Sequence, residues 1–238
     1  MSAFLYSTFL QWKLDLRNKG ILLTYYVVPL VFFGFMGGIF TSINPEAKNT
    51  IIQSMTIFGI TMGAYLGAPT PLVELYGSEI KKAYKVGNIP LWVAAVNNFV
   101  SAFVHLFIMS LVIFFISPVA FEAKIPENIP LYFISLAIFL LACLTVGTLL
   151  GLLIKKGTKL TMIAQFLFLP SVMLSGIMFP ADMLPKVFQG IAKILPATWG
   201  YEMMNSNNMD LKTIVPLLII MGVAICINAW RLVKIKID

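Results

Sequence analysis

Apolar residues cluster into six long runs separated by short polar stretches, at residues 20–40, 51–72, 91–119, 130–154, 160–179 and 214–233. A hydrocarbon core of about 30 Å takes roughly 20 helical residues, so each run is long enough to cross a bilayer. The third exceeds that need, which predicts a tilted helix or an interfacial start near Trp92. Ahead of the first run, Phe4, Leu5, Phe9, Trp12 and Leu16 fall at helical spacing on one face, while Ser7, Gln11, Asp15 and Lys19 lie elsewhere. This pattern predicts an interfacial helix over residues 1–19, chiefly Ser2 to Lys19, lying on the inner leaflet with its aromatic rings at headgroup depth. Trp12, Lys13, Asp15 and Arg17 interrupt the first apolar residues, and no small-residue cleavage pattern precedes the first run. That run is therefore expected to stay as a membrane anchor.

Inside the runs, Gly59, Gly63 and Gly67 make a continuous small-residue ridge on the second. Gly34 with Gly38, and Gly147 with Gly151, do the same on the first and fourth. Such ridges let helix backbones approach closely where water does not drive association. Pro29 and Pro170 sit mid-run and predict kinks.

Composition agrees with lipid as the solvent: 59% of residues are hydrophobic, 11% are charged, and mean hydropathy is +0.91. A soluble domain carries about 25% charged residues, and no polar stretch here is long enough to fold alone. The expectation is one all-α transmembrane domain over residues 1–238. The net charge of +7 would suggest nucleic acid in a soluble protein, but its placement excludes that reading. Lys13, Arg17 and Lys19, then Lys81, Lys82 and Lys85, then Lys155, Lys156 and Lys159, then Arg231, Lys234 and Lys236 all fall on one side of the predicted topology. Only Lys48, Lys124, Lys186, Lys193 and Lys212 fall on the other. By the positive-inside rule both termini are cytoplasmic, in a plasma (inner) membrane. Cys143 and Cys226 lie inside runs and read as small core residues.

Several chemistries lack their residues. No Gly-rich loop ends in Gly-Lys-Ser/Thr, so nothing predicts a phosphate cradle for ATP, and Gly157-Thr158 follows lysines rather than preceding one. The single histidine, His105, cannot make an intramembrane metal site alone and reads as a hydrogen-bonded packing residue. A membrane enzyme or protease is correspondingly disfavoured. No Asp or Glu sits near the middle of a run, whereas ion-coupled carriers use an intramembrane carboxylate. Energy for uphill transport would then enter from a partner. Asn97, Asn98, Gln165 and Asn228 are read as interhelical hydrogen-bonding residues.

Two regions carry more information. The loop Val73–Pro90 reads VELYGSEIKKAYKVGNIP and predicts a short helix over residues 78–86. Ser78 can cap it, Glu79 suits its positive end, and the lysines suit its later turns. Beyond Phe179, apolar residues continue, but Pro180, Pro185 and Pro196 break them, and Asp182, Lys186 and Lys193 oppose a full crossing. Short re-entrant helices in the outer leaflet are predicted, with Met183, Leu184, Val187, Phe188, Ile191, Ile194 and Leu195 facing lipid or the sixth span.

These two regions make almost the whole chain resemble the type-2 ABC transporter permeases. In the loop, Glu74, Gly77, Ser78, Glu79, Lys81, Lys82 and Pro90 match that family's pattern, with Ser78 replacing the usual Thr and Tyr76 standing where Arg is common. In the last third, Ser175, Gly176, Phe179, Pro180, Leu184, Pro185 and Pro196 match in order. The resemblance implies a dimer of six-helix units, with an identical or a paralogous second permease. It implies two copies of a separate ABC ATPase that carries the ATP and magnesium, and no cofactor in this chain. Glu74, Gly77, Ser78, Glu79, Lys81 and Lys82 would form the coupling helix region, with a second contact from Lys155 and Lys156. The pathway would run between the second and fifth spans at the dimer interface. Gln165, Ser171 and Ser175 are its polar candidates, and Gly59, Gly63 and Gly67 the ridge that repacks. Phe179, Pro180, Pro185 and Pro196 would belong to an outer lid. A pathway without fixed charge suits a drug, an antimicrobial peptide or a lipid-like compound. A self-contained carrier or channel, and a polysaccharide or lipid-linked glycan exporter, stand as alternatives.

Overall fold

The computed structural model describes residues 3–235. Ser2, Lys236 and the side chain of Lys85 lie outside the described parts. The described chain is helical, without β-strands. It comprises α1 (Ala3–Arg17), α2 (Lys19–Ile43), α3 (Ile51–Gly77), α4 (Ile80–Val86), α5 (Leu91–Phe121), α6 (Ile129–Leu153), α7 (Gly157–Leu174), α8 (Lys186–Ala192), α9 (Pro196–Asn205) and α10 (Leu211–Lys234). Helices α2, α3, α5, α6, α7 and α10 are each long and apolar enough to cross a membrane. The expected second span is longer than its apolar run, because α3 continues as helix to Gly77. The expected fifth span is shorter: α7 stops at Leu174, and Gly176 at φ +90° turns the chain away. That left-handed conformation is one that glycine adopts without steric cost.

Helix α3 is the hub. Its most apolar window is 94% buried, against 17% for α2, 28% for α7 and 22% for α10, so those three form the periphery. Small residues let α3 occupy the centre. Gly59 faces Met109, and Gly63 faces Leu106, both on α5; Gly67 faces the Tyr25 ring on α2. On α6, a Cβ at Gly147 would overlap the Ala64 carbonyl of α3, and Gly151 lies against Leu72 and the Pro69 carbonyl. The predicted ridge on the first span makes little contact within the chain. Gly34 has nothing within 4 Å, and Gly38 only just meets Phe121; it is Gly37 that receives the Phe121 ring. The glycine used is set by which face of α2 turns inward, and a four-residue spacing alone does not specify that face.

Two short π-helical turns break the regular ladder, at Leu23–Val27 in α2 and Gly63–Gly67 in α3. Each precedes a proline, Pro29 or Pro69. A proline ring would clash with the carbonyl four residues earlier, and the wider i→i+5 turn makes room for it. The kink expected at Pro29 takes this form, and the same device at Pro69 was not anticipated. The turns pack on each other through Tyr25 and Gly67. Helix α7 continues through Pro170.

The predicted N-terminal helix forms, but its orientation differs from expectation. Its polar side faces α5 rather than water. Asp15 is 2% exposed and accepts hydrogen bonds from Ser101 Oγ at 2.6 Å and Gln11 Nε2 at 2.9 Å. Thr8 Oγ1 donates to Asn97 Oδ1, and Asn97 Nδ2 donates to Ser7 Oγ. Trp12 stacks on His105, whose Nδ1 lies 2.8 Å from the Tyr26 hydroxyl. Apolar Leu5, Phe9 and Leu14 are left exposed. In a membrane protein a polar helix face can find polar partners on another helix, and lipid takes the apolar face.

Candidate coupling surface and translocation face

The basic end of the molecule carries the predicted loop helix. α3 delivers Glu74, exposed, and Gly77 to the start of the loop. Ser78 caps α4 as expected, its Oγ accepting from the Ile80 amide at 3.3 Å. Glu79 pairs with Lys82 one turn on, and this hydrogen bond and charge hold the Glu79 carboxyl below its ordinary range. The helix ends at Val86, and Asn88 takes a left-handed conformation (φ 51°) ahead of Pro90. Tyr76 closes the loop at its base, donating through its hydroxyl to the Leu91 carbonyl at 2.7 Å.

The two predicted coupling segments meet. A Cβ at Gly77 would lie 3.0 Å from the Lys155 carbonyl oxygen. That is tighter than an ordinary van der Waals contact, so a side chain here would have to push the Lys155 backbone back by a few tenths of an ångström. Glu74, Gly77, Ser78, Lys155 and Gly157 thereby line one cleft of about 230 Å³, although Glu74 and Lys155 are eighty-one positions apart in sequence. Lys156 is exposed beside it at the start of α7. Lys81 points elsewhere, into a neighbouring cavity that also takes Tyr76, Arg231 and Lys234. Lys82 stays with Glu79.

The residues expected along a pathway are not brought together. Gln165 is exposed on α7, in a face with Met162, Phe166, Leu169 and Met173. Ser171 and Ser175 point inward; Ser171 is fully buried and donates to the Leu167 carbonyl at 2.7 Å. Gly59, Gly63 and Gly67 pack within one chain and face no open space. The second and fifth spans do touch. Phe58 of α3 stacks on Phe32 of α2 at 3.9 Å and meets Phe168 of α7 edge-on at 5.6 Å. At the opposite end from α4, a cavity of about 500 Å³ opens between the end of α2, the start of α3 and the segment after α7, with Phe40, Ser54, Gly176 and Tyr201 in its wall.

Of the expected lid residues, Phe179, Pro180 and Pro185 are exposed and Pro196 is buried at the start of α9. Met183, Val187, Phe188, Ile191 and Ile194 are exposed, and Leu195 is buried at 7% exposure. Sequence reasoning missed Asp15. It sits in a terminal segment, so it counted as a surface acid, and only its spacing from Gln11 and the presence of Ser101 on α5 hinted at a buried partner set. Burial pushes its carboxyl above the ordinary value, against the pull of those two hydrogen bonds. No cluster among the described residues has the His, Cys, Asp or Glu set for a metal ion.

Five apolar helices packed around a sixth, the buried hub α3, define a multi-pass integral membrane protein. The chain belongs to the ABC-2 type transporter family, whose model matches residues 2–209. Its relatives include the probable multidrug ABC transporter permease YbhS of Escherichia coli K12 and of Escherichia coli O157:H7, each 30% identical over 115 residues. The match covers 45% of this chain and about 30% of the length of either relative. No solved structure matches the chain.

Proposed function

We propose that the chain is the permease of an ATP-driven exporter, working as a dimer with two ATPase subunits at its basic, cytoplasmic end. The observation that carries this reading is the close approach of Gly77 to Lys155. It joins both inner loops into one cleft, so a partner seated against Glu74, Ser78, Glu79 and Lys155, with Lys81, Lys82 and Lys156 around it, would move α3 and α7 together. α3 is the buried hub, so displacement of its end would reach α2, α5 and α6. A ligand shifts an equilibrium only by binding its two states differently. ATP closing two ATPases supplies that difference through these loops.

The second copy, identical or paralogous, covers the exposed apolar faces of α2 and α7. Leu23, Val27, Val31 and Phe35 make the first face, and Met162, Phe166 and Leu169 the second. The pathway runs between these faces, past Phe32, Phe58 and Phe168, to the cavity beside Gly176. Gln165 is its polar contact, and residues 179–196 form the outer lid. Its substrate is an amphipathic or hydrophobic compound, in line with the multidrug permease named among its relatives. Glu74→Arg and Glu79→Arg test the coupling role in the reconstituted complex. Substrate-stimulated ATP hydrolysis and transport are expected to fall at least about tenfold, as a loss of about 1.4 kcal/mol of coupling would give. Unchanged stimulation and transport would defeat the assignment.

A further inference from the structure

A second cavity at the basic end, about 420 Å³, lies between the ends of α3, α6 and α10. Lys81, Lys155, Arg231 and Lys234 line it, together with Tyr76 and Leu152, and no acidic side chain among the described residues does. Basic residues commonly serve the carbonyls at helix C-termini, and Arg231 does so in part: its Nε donates to the Leu152 carbonyl at 3.3 Å. That service does not account for all four cations. Three helices end here, each carrying about half a negative charge. Together they offset fewer than two of the four, so the cavity keeps a positive surplus.

Its surroundings are those of a lipid-facing rim. α10 is peripheral, and exposes Val223, Ile225, Trp230 and Val233. Lys234 Nζ stands 4.1 Å from the centre of the Trp230 ring, and tryptophan marks the headgroup level of a membrane. Starting beside Arg231 and running deeper along α6 and α10, a mainly apolar groove of about 300 Å³ lies against α5, with Phe99, Ile225 and Leu232 in its wall beside Thr145, Thr148 and Asn228. A cationic cavity at the rim above an apolar groove matches a molecule with an anionic head and a hydrocarbon chain.

We infer that this cavity binds an anionic phospholipid from the leaflet at the basic end. Its phosphate is held by Arg231 and Lys234 in the field of Lys81 and Lys155, and an acyl chain lies along the groove between α5, α6 and α10. The guanidinium fork suits phosphate geometry, and basic pockets between transmembrane helices recognise lipid headgroups in this way. Because the lipid would touch Tyr76 and Lys81 at the base of the α4 loop, it would set the position of the coupling helix.

The test uses the full chain in phosphatidylcholine nanodiscs containing an equal small fraction of either brominated phosphatidylglycerol or brominated phosphatidylcholine. The readout is quenching of the fluorescence component lost in Trp230→Phe. Brominated phosphatidylglycerol is expected to quench it more strongly. In R231Q/K234Q the preference should fall by about fivefold per charge removed. R231K/K234R keeps the charges and should retain most of the preference; K234Q alone, at an exposed position, serves if the double variant does not fold. Equal quenching by the two lipids in the unsubstituted protein would overturn the inference. So would a Trp230 response to millimolar inorganic phosphate in pure phosphatidylcholine discs, which would assign the cavity to a soluble anion. Loss of ATPase binding in R231Q/K234Q with lipid preference intact would assign it to the ATPase and equally overturn it. Arg231 and Lys234 are outside the proposed coupling residues and the quenching is read without the ATPase, so failure of this test and failure of the Glu74 and Glu79 test are distinguishable.

Discussion

The two ends of the molecule are built on opposite plans. At the end away from α4, short elements are sewn into the bundle. Lys48 reaches Glu122 at 2.7 Å, the Lys124 amide donates to the Lys48 carbonyl, and Asn207 Nδ2 donates to Glu127 at 2.8 Å. Helix α9 buries Pro196, Ala197, Thr198, Met203 and Met204, and its Gly200 lies against the Phe139 ring. At the basic end, α4 makes its hydrogen bonds and ion pair within its own loop and leaves Ile80 and Val86 exposed. Just ahead of it, at the end of α3, lie the Tyr76–Leu91 hydrogen bond and the Gly77–Lys155 contact. One end is tied into the bundle, and at the other α4 leaves its surface free. A lever needs that asymmetry, because a handle with its surface already buried has none left for a partner.

The largest effect should come from setting the two ends against each other. Gly200→Leu forces a side chain into the Phe139 ring, and overpacking of this kind costs about 1–3 kcal/mol or more. Ala83→Leu on exposed α4 should leave the thermal midpoint within about 1 °C, since exposed substitutions fall within about 0.5 kcal/mol. Gly200→Leu should lower it by several degrees, at about 2–4 °C per kcal/mol. Equal midpoints would erase the distinction. Next, Gly77→Val should push the two basic-end loops apart. A steep loss of transport at nearly unchanged stability in detergent is expected, and the pair of assays separates it from Gly200→Leu. If Gly77→Val transports normally, the close approach has no role in coupling.

A smaller effect tests the third packing region, where α1 meets α5. Asp15 is held with its carboxyl raised, so the folded chain binds a proton more tightly there than the unfolded chain does. By linkage, stability should rise as pH falls from above the raised value towards the ordinary value of 3.8, and level off below it. Asp15→Asn should remove that slope while leaving Ser101 a hydrogen-bond acceptor. A thermal midpoint whose pH dependence is the same in both proteins would show that Asp15 does not titrate in this window.

The spans were legible because length and apolarity are sufficient for a bilayer crossing. α4 was legible because Ser78, Glu79 and the lysines are local signals, and their structure bears out the cap. What stayed hidden was tertiary. Asp15 and Ser7 looked like a solvated face until Ser101 and Asn97 on α5 supplied partners. Gly34 and Gly38 had the right spacing on the wrong face, and Gly37 carried the contact. The meeting of Gly77 with Lys155 joins residues seventy-eight positions apart, and no pattern in either segment announces it. Gly59, Gly63 and Gly67 were correctly read as helix contacts, but their partners lie within the chain.

The central claim is that the cleft at the base of α4 is where the ATPase seats. Site-specific photocrosslinking in cells tests it directly, with a photoreactive residue placed at Ser78 and, separately, at Pro180 on the far end. The account predicts an adduct increased by the mass of the ATPase from Ser78 and none from Pro180. Absence of that adduct at Ser78, or its appearance at Pro180, would contradict it.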